Sequence, residues 1–262
     1  MIRIPEQFFP KFDCELIRFG NDSDGGYVIS KKSVENSKLL ISFGLSNDWS
    51  FEEAYSNIID RKVYCYDLSV NNFFWIKNFI KSVLNILFLK EVKENFKNLI
   101  SYLRYKIFFG NKNNFHIKKF IFPLNNKQNF YKKENITDLN EIFNVIKENC
   151  YLKIDIEGAE YRILDQIIFN QSQIDGISIE FHDFDIHLNL IKNFINQLDL
   201  EIVHLHVNNF GLINENSVPS VVEISFAKKE FIDTNNHNKK TYPLDKDKPC
   251  NKDYKDGNIS FY

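Results

Sequence analysis

The 262-residue chain holds 33 Lys and Arg against 35 Asp and Glu, a formal net charge of −2, and no basic run, so charge gives no footing for a nucleic-acid partner. Its four cysteines, Cys14, Cys65, Cys150 and Cys250, are far apart and lack CxxC spacing; they read as reduced thiols rather than a disulfide frame or a metal site. Without a signal pattern, a repeat or an uninterrupted apolar span, the expectation is one cytoplasmic domain over residues 1–262 with no stable membrane insertion.

Leu16 to Phe19 suits a short strand, and Asn21-Asp-Ser-Asp-Gly-Gly a tight turn into another strand starting near Tyr27. The acids of that turn lack the spacing and distal Glu of a calcium loop. Lys38 to Phe43 reads as a buried strand breaking at Gly44, with a helix over 51–59 behind it. A strand, a glycine and a helix start let a cofactor approach the backbone closely, which makes Gly44 a candidate contact. The next strand, Lys62-Val-Tyr-Cys-Tyr-Asp67, ends in an acid about 20 residues on, placed to accept ribose hydroxyls; capping the following helix is the alternative.

Residues 72–112 read as an insertion. Ile76, Phe79, Ile80, Val83, Leu84 and Leu87 mark one helical face, and Val92, Phe96, Leu99, Ile100, Leu103 and Ile107 another. A packed helical hairpin is expected, with a lid, a homodimer contact or a membrane-surface face as alternatives. His116 to Leu124 suits a third strand stopped at Pro123. A helix beginning near Ile136 has Thr137 as its cap and Asp138 in its first turn.

The chain is organised around Lys153-Ile-Asp-Ile-Glu-Gly-Ala-Glu160. An apolar strand, Tyr151 to Ile156, ends in two carboxylates and a glycine, and Tyr161, Ile163, Leu164, Ile167 and Ile168 continue at helical spacing. Ligands of open α/β sheets bind beyond the carboxyl ends of the strands, so Asp155 and Glu157 stand at the rim of a site. Glu157 and Glu160 alternatively complement the start of the helix. A fifth strand, Asp175 to Asp183, ends in Glu180, His182 and Asp183, and a helix over 185–198 follows. In a sixth strand, Glu201 to Asn209, alternation puts His204, His206 and Asn208 on one face and Val203, Leu205 and Val207 on the other. A seventh, Ser220 to Phe226, carries Glu223, which is costly to bury unpaired. The alternation predicts a Rossmann-like α/β fold with a mixed, mostly parallel seven-stranded sheet, a helical insertion and a tail, 233–262, packed on it.

Asp155, Glu180, His182, His206 and Asn208 converge at one sheet edge in such a fold. Group transfer to a hydroxyl requires alignment of the oxygen and acceptance of its proton, a role suited to a histidine near neutral pKa. His182, with Glu180 orienting it or the substrate, is the first candidate and His206 the second. The alternative is a divalent metal, which no spacing demands; no GxSxG elbow supports a hydrolase.

Leu152-Lys-Ile-Asp-Ile-Glu-Gly-Ala-Glu160 resembles the signature of FkbM-type methyltransferases. Ser42-Phe-Gly-Leu-Ser-Asn-Asp-Trp-Ser-Phe-Glu52 resembles that family's first cofactor motif, with Ser46 where a more glycine-rich loop has glycine. Further similar segments are Arg18-Phe-Gly, Asp24-Gly-Gly-Tyr-Val, Ile179-Glu-Phe-His182, His204-x-His-x-Asn-Asn209, Pro219 ahead of Val-Val-Glu, and the tail from Tyr242-Pro-Leu-Asp to Asp256-Gly. The likeness spans most of the chain except 72–112. It implies a class I methyltransferase fold and S-adenosylmethionine as cofactor, with Tyr27, Phe43, Gly44, Leu45, Ser46, Asp67, Asp138 and Asp155 beside it; for Asp138, capping is the alternative. It also implies O-methylation of a small molecule, or of a sugar or phosphate-linked group in bacterial surface polysaccharide assembly. Rival readings are a metal-dependent nucleotide-sugar glycosyltransferase using Asp155 and Glu157, and a non-catalytic partner that binds another methyltransferase through 72–112.

Overall fold

In a computed structural model, which describes residues 1–58, 61–90, 92–123 and 132–262, seven strands build the central sheet. They are β1 (Leu39–Phe43), β2 (Lys62–Tyr66), β3 (Asn114–Ile117), β4 (Cys150–Ile154), β5 (Ile174–Phe181), β6 (Leu200–Val207) and β7 (Val222–Lys228). Their spatial order is β3-β2-β1-β4-β5-β7-β6, and β7 alone runs antiparallel to its neighbours. The chain winds outward from β1 through β2 to β3, then returns to add β4 on the other side of β1. Ligands bind at such a switch point, outside the carboxyl ends of β1 and β4.

Among the described residues, seven α-helices accompany the sheet: α1 (Lys31–Asn36), α2 (Ser50–Ser56), α3 (Asn72–Leu87), α4 (Val92–Phe108), α5 (Leu139–Val145), α6 (Leu164–Asn170) and α7 (Phe184–Gln197). Strand side chains alternate between faces. Ile41 and Phe43 of β1 and Leu152 and Ile154 of β4 join a core with Phe143 of α5, Ile167 of α6 and Phe194 of α7. Leu40 and Tyr151 turn to the opposite face, against Phe51 and Tyr55 of α2. That face is also covered by Tyr27 and Ile29, from the antiparallel hairpin that Leu16–Phe19 makes with Tyr27–Ser30. Full burial of each such side chain contributes roughly 1.5–3 kcal/mol.

Several elements depart from the sequence reading. The proposed strand 116–124 divides: Asn114–Ile117 joins the sheet, whereas Phe120–Ile121 pairs in parallel with Ile136–Thr137, after a turn closed by the Lys119 N–H on the Ile117 carbonyl. Leu124 lies outside the described residues, as does Ile59 at the end of the expected helix over 51–59. Asp138, not Thr137, caps α5, its carboxylate accepting the Asn140 N–H at 2.8 Å. Behind β4 the helix is delayed: a short 3₁₀ turn, Glu160–Arg162, precedes α6 because the Glu160 side chain turns back to accept the Gly158 N–H. In β6 the pairing register shifts between Ile202 and His204. That bulge moves Val203 away from the core of Leu205 and Val207 and into a small cluster with Leu16, Val28 and Ala227.

The insertion is a helical hairpin, but its apolar faces do not pack. Ile80, Leu84 and Leu103, expected on the inner sides, are 52%, 47% and 61% exposed. The packed side uses Trp75, Ser82, Asn95, Tyr105 and Phe108, all buried. Trp75 meets Tyr105 at 4.9 Å between ring centroids, and both approach Trp49, in the connection from β1 to α2.

Candidate active site

Gly44 ends β1 with φ of +85°, and a Cβ there would lie 1.7 Å from the Asp155 carbonyl oxygen. The glycine is therefore required by the protein's own backbone, which brings the β1 loop against the end of β4. Beyond it, Ser46 takes φ of +48°, the left-handed conformation that a glycine would hold more easily. Asp67, at the tip of β2, fastens this loop. Its Oδ2 accepts the N–H groups of Leu45 and Ser46 at 2.9 and 3.0 Å, and its Oδ1 accepts the Ser69 N–H and hydroxyl at 2.7 and 2.6 Å. Burial pushes the Asp67 carboxyl upward, but these donors outweigh it and hold the group below its usual range. Phe43 is wholly buried against Tyr66, so among 43–46 only the backbone and Ser46 face outward.

The ends of β4 and β5 carry the chemistry. The Tyr27 hydroxyl sits between two carboxylates, 3.2 Å from Asp155 Oδ2 and 3.1 Å from Glu180 Oε2. Asn208 donates to the other Glu180 oxygen at 2.8 Å. Burial, then the charges of Asp155 and Glu223, push Glu180 well above the usual carboxylate range. Lys153, buried within β4, donates to the Gly44 carbonyl at 3.1 Å and lies 3.4 Å from Asp155. Burial alone would lower the Lys153 pKa, but Asp155, Glu52, Asp48 and Glu180 together raise it, so the ammonium stays charged. The carboxylate Glu52 comes from α2 and accepts the Ser42 hydroxyl.

His182 stands just past β5. Glu160, fully buried, accepts its backbone N–H at 2.7 Å and its Nδ1 at 3.3 Å. Its Nε2 points toward Glu157, at 3.4 Å, and lies 3.9 Å from Glu180. Glu160 rather than Glu180 therefore orients the ring. Burial disfavours the imidazolium, but the Glu160 hydrogen bond and charge prevail and raise the pKa to about 9. Glu157 and Asp183, on either side of this histidine in the site, both adopt left-handed backbone, φ of +53° and +51°. Strain of this kind gathers at functional loops.

His206 is held differently. Its Nδ1 lies 2.9 Å from Glu223 and its Nε2 3.2 Å from Asp256 of the tail, with Cys250 of the tail 3.5 Å from Glu223. Both ring nitrogens are engaged, and Glu223 above all outweighs burial and keeps the ring cationic. The expected second base is thus a buried pin for the tail, as is His204, 3.0 Å from Asp247. Asp138 serves α5 and accepts Gln166 Nε2 at 2.7 Å, which ties it to α6.

Lys153 and Glu52 are not among the residues to which the sequence points for the site, and Glu160 is there weighed against a role at the helix start. The Lys153–Gly44 and Glu160–His182 contacts span 109 and 22 residues, which periodicity does not show.

The sheet order, the reversed β7 and the acids beyond β2, β4 and β5 define a class I, Rossmann-like methyltransferase. A family model described as the methyltransferase FkbM domain matches residues 21–202, and the chain belongs to that family. The protein is accordingly an S-adenosylmethionine-dependent methyltransferase. In the cleft the Tyr27 hydroxyl joins Asp155 to Glu180, and burial pushes Glu180 and Asp24 upward, toward their neutral forms. No curated protein matches the sequence. Similar solved structures include the fibrillarin pre-rRNA processing protein of Methanococcus jannaschii, at 12% identity over 83% of this chain and 84% of that one, with a TM-score of 0.37. Another is a putative RNA methyltransferase, PH1948, of Pyrococcus horikoshii, at 10% identity over 74% and 75%, with a TM-score of 0.38. A third is M. jannaschii TYW2 in complex with AdoMet, at 10% identity over 76% and 74%, with a TM-score of 0.34. Among the described residues, Asp155, Glu157 and His182 also bring ligand atoms within 4.8 Å of one another, a spacing open to a divalent cation.

Proposed function

We propose that the protein methylates a hydroxyl oxygen of a small molecule, or of a sugar or phosphate-linked group in bacterial surface polysaccharide assembly, with His182 as the base. The observation that carries this reading is the posture of His182: Nδ1 is fixed by buried Glu160, leaving Nε2 3.4 Å from the exposed Glu157 and 3.9 Å from Glu180. The acceptor class rests on the family resemblance.

S-adenosylmethionine supplies the activated methyl group. Asp67 holds the loop at 44–46 through the Leu45 and Ser46 amides and is the proposed ribose acceptor. Asp155 and Tyr27 set the floor of the cleft. His182 carries a proton on Nε2 in the free protein and gives it up when the field of the surrounding carboxylates is shared with a second positive charge. It then accepts the proton of the acceptor hydroxyl. A His182→Ala enzyme that keeps its affinity for S-adenosylmethionine but loses turnover supports this role; unchanged turnover removes it.

A further inference from the structure

Each helix of the α3–α4 hairpin carries an exposed apolar stripe. On α3, Phe73, Ile76, Ile80, Leu84 and Leu87 recur at helical spacing and are all at least 47% exposed. On α4, Phe96, Ile100, Leu103 and Ile107 do the same and are all at least 52% exposed. Leu89, between the helices, is 84% exposed. At 100° per residue, Lys77 and Lys81 flank the first stripe, and Lys93 and Lys97 the second. A monomer rarely leaves an apolar surface of this extent open unless something covers it.

Charge is divided the same way. Residues 72–112 hold eight Lys and Arg and only two acids, Glu91 and Glu94, in a chain whose totals are 33 and 35. The hairpin is strongly positive and the remainder strongly negative. We propose that the hairpin docks this protein, lying in the plane of the surface, onto an anionic lipid bilayer. The apolar stripes enter the interface and the flanking lysines extend to the headgroups. No described helix is long and apolar enough to cross a membrane, so the hairpin lies on the bilayer. A second copy of the chain fits less well, because a two-fold contact would set one positive face against its twin. Docking also orients the enzyme: the negative remainder is repelled from the surface. The hairpin is fixed to the site side of the sheet by Trp75 and Tyr105 on Trp49 and by Arg104, which lies 3.2 Å from Glu53 of α2.

The test is co-sedimentation of the full chain with phosphatidylcholine vesicles that contain roughly one third phosphatidylglycerol. Binding that falls as salt rises is expected. Ile80→Asn with Leu84→Asn, and separately Lys77→Glu with Lys81→Glu, should each weaken it roughly tenfold or more, with thermal midpoints unchanged. No sedimentation of folded protein overturns the proposal, as does equal binding to pure phosphatidylcholine. Concentration-dependent dimerisation that the Ile80/Leu84 variant abolishes, without vesicle binding, assigns the face to a second copy instead.

Discussion

A single oxygen of Glu160, Oε1, receives both the backbone N–H and the Nδ1 of His182, at 2.7 and 3.3 Å. The same side chain accepts the Gly158 N–H through Oε2, so it couples the loop after β4 to the end of β5. Glu160→Gln keeps an acceptor but removes the charge that holds the His182 pKa at about 9. The limb of kcat/KM that reports His182 in the free enzyme should move to lower pH by about one unit or more, which a pH–rate profile measures. A limb that stays in place assigns it to another group.

Stability should carry the same signature. The folded His182 pKa is about 9 against an ordinary value of 6.5. Its contribution is therefore complete below pH 6.5 and disappears as pH rises through about 9. Thermal midpoints of the native protein should fall more steeply between those limits than those of His182→Gln. Parallel curves would show that the imidazolium contributes nothing to the fold.

Gly44→Ala should be severe. Its new methyl group would meet the Asp155 carbonyl at 1.7 Å in a left-handed backbone position. Separation of the β1 loop from β4 would cost on the order of 3 kcal/mol and cofactor affinity with it. Chemical denaturation measures the first and calorimetry the second; a variant with native stability would mean that the loop has room to shift.

His206 is expected to act on stability rather than on turnover. His206→Gln leaves the buried Glu223 without its cation and frees Asp256 of the tail, at a cost on the order of 3 kcal/mol. Denaturation should show that loss while the kcat of the folded fraction persists. An unchanged midpoint with kcat abolished would restore His206 as a catalytic base.

The sheet was legible because parallel strands buried on both faces are nearly continuous apolar runs, as in Leu39–Phe43 and Cys150–Ile154. Asp67, Asp155, Glu180 and His182 could be named because each stands at or just past the carboxyl end of such a run. What joins them was not legible. Tyr27 meets Glu180 across 153 residues and His206 meets Asp256 across 50, and periodicity carries no information about such pairs. Lys153 looked like an ordinary strand lysine until Asp155, Glu52 and the Gly44 carbonyl surrounded it. For α3 and α4 the pattern located the apolar faces correctly but could not show what they face; aromatic packing on Trp49 turned them outward.

The most direct test is calorimetric titration with S-adenosylmethionine and S-adenosylhomocysteine of the native protein and of Asp67→Ala. The carboxylate that fastens the Leu45 and Ser46 amides and is proposed to accept the ribose should matter to both ligands. Binding in roughly the micromolar range, weakened about tenfold or more by the substitution, is the expected result. Absence of binding by folded native protein, or equal affinity in the variant, would contradict this assignment of the cofactor cleft.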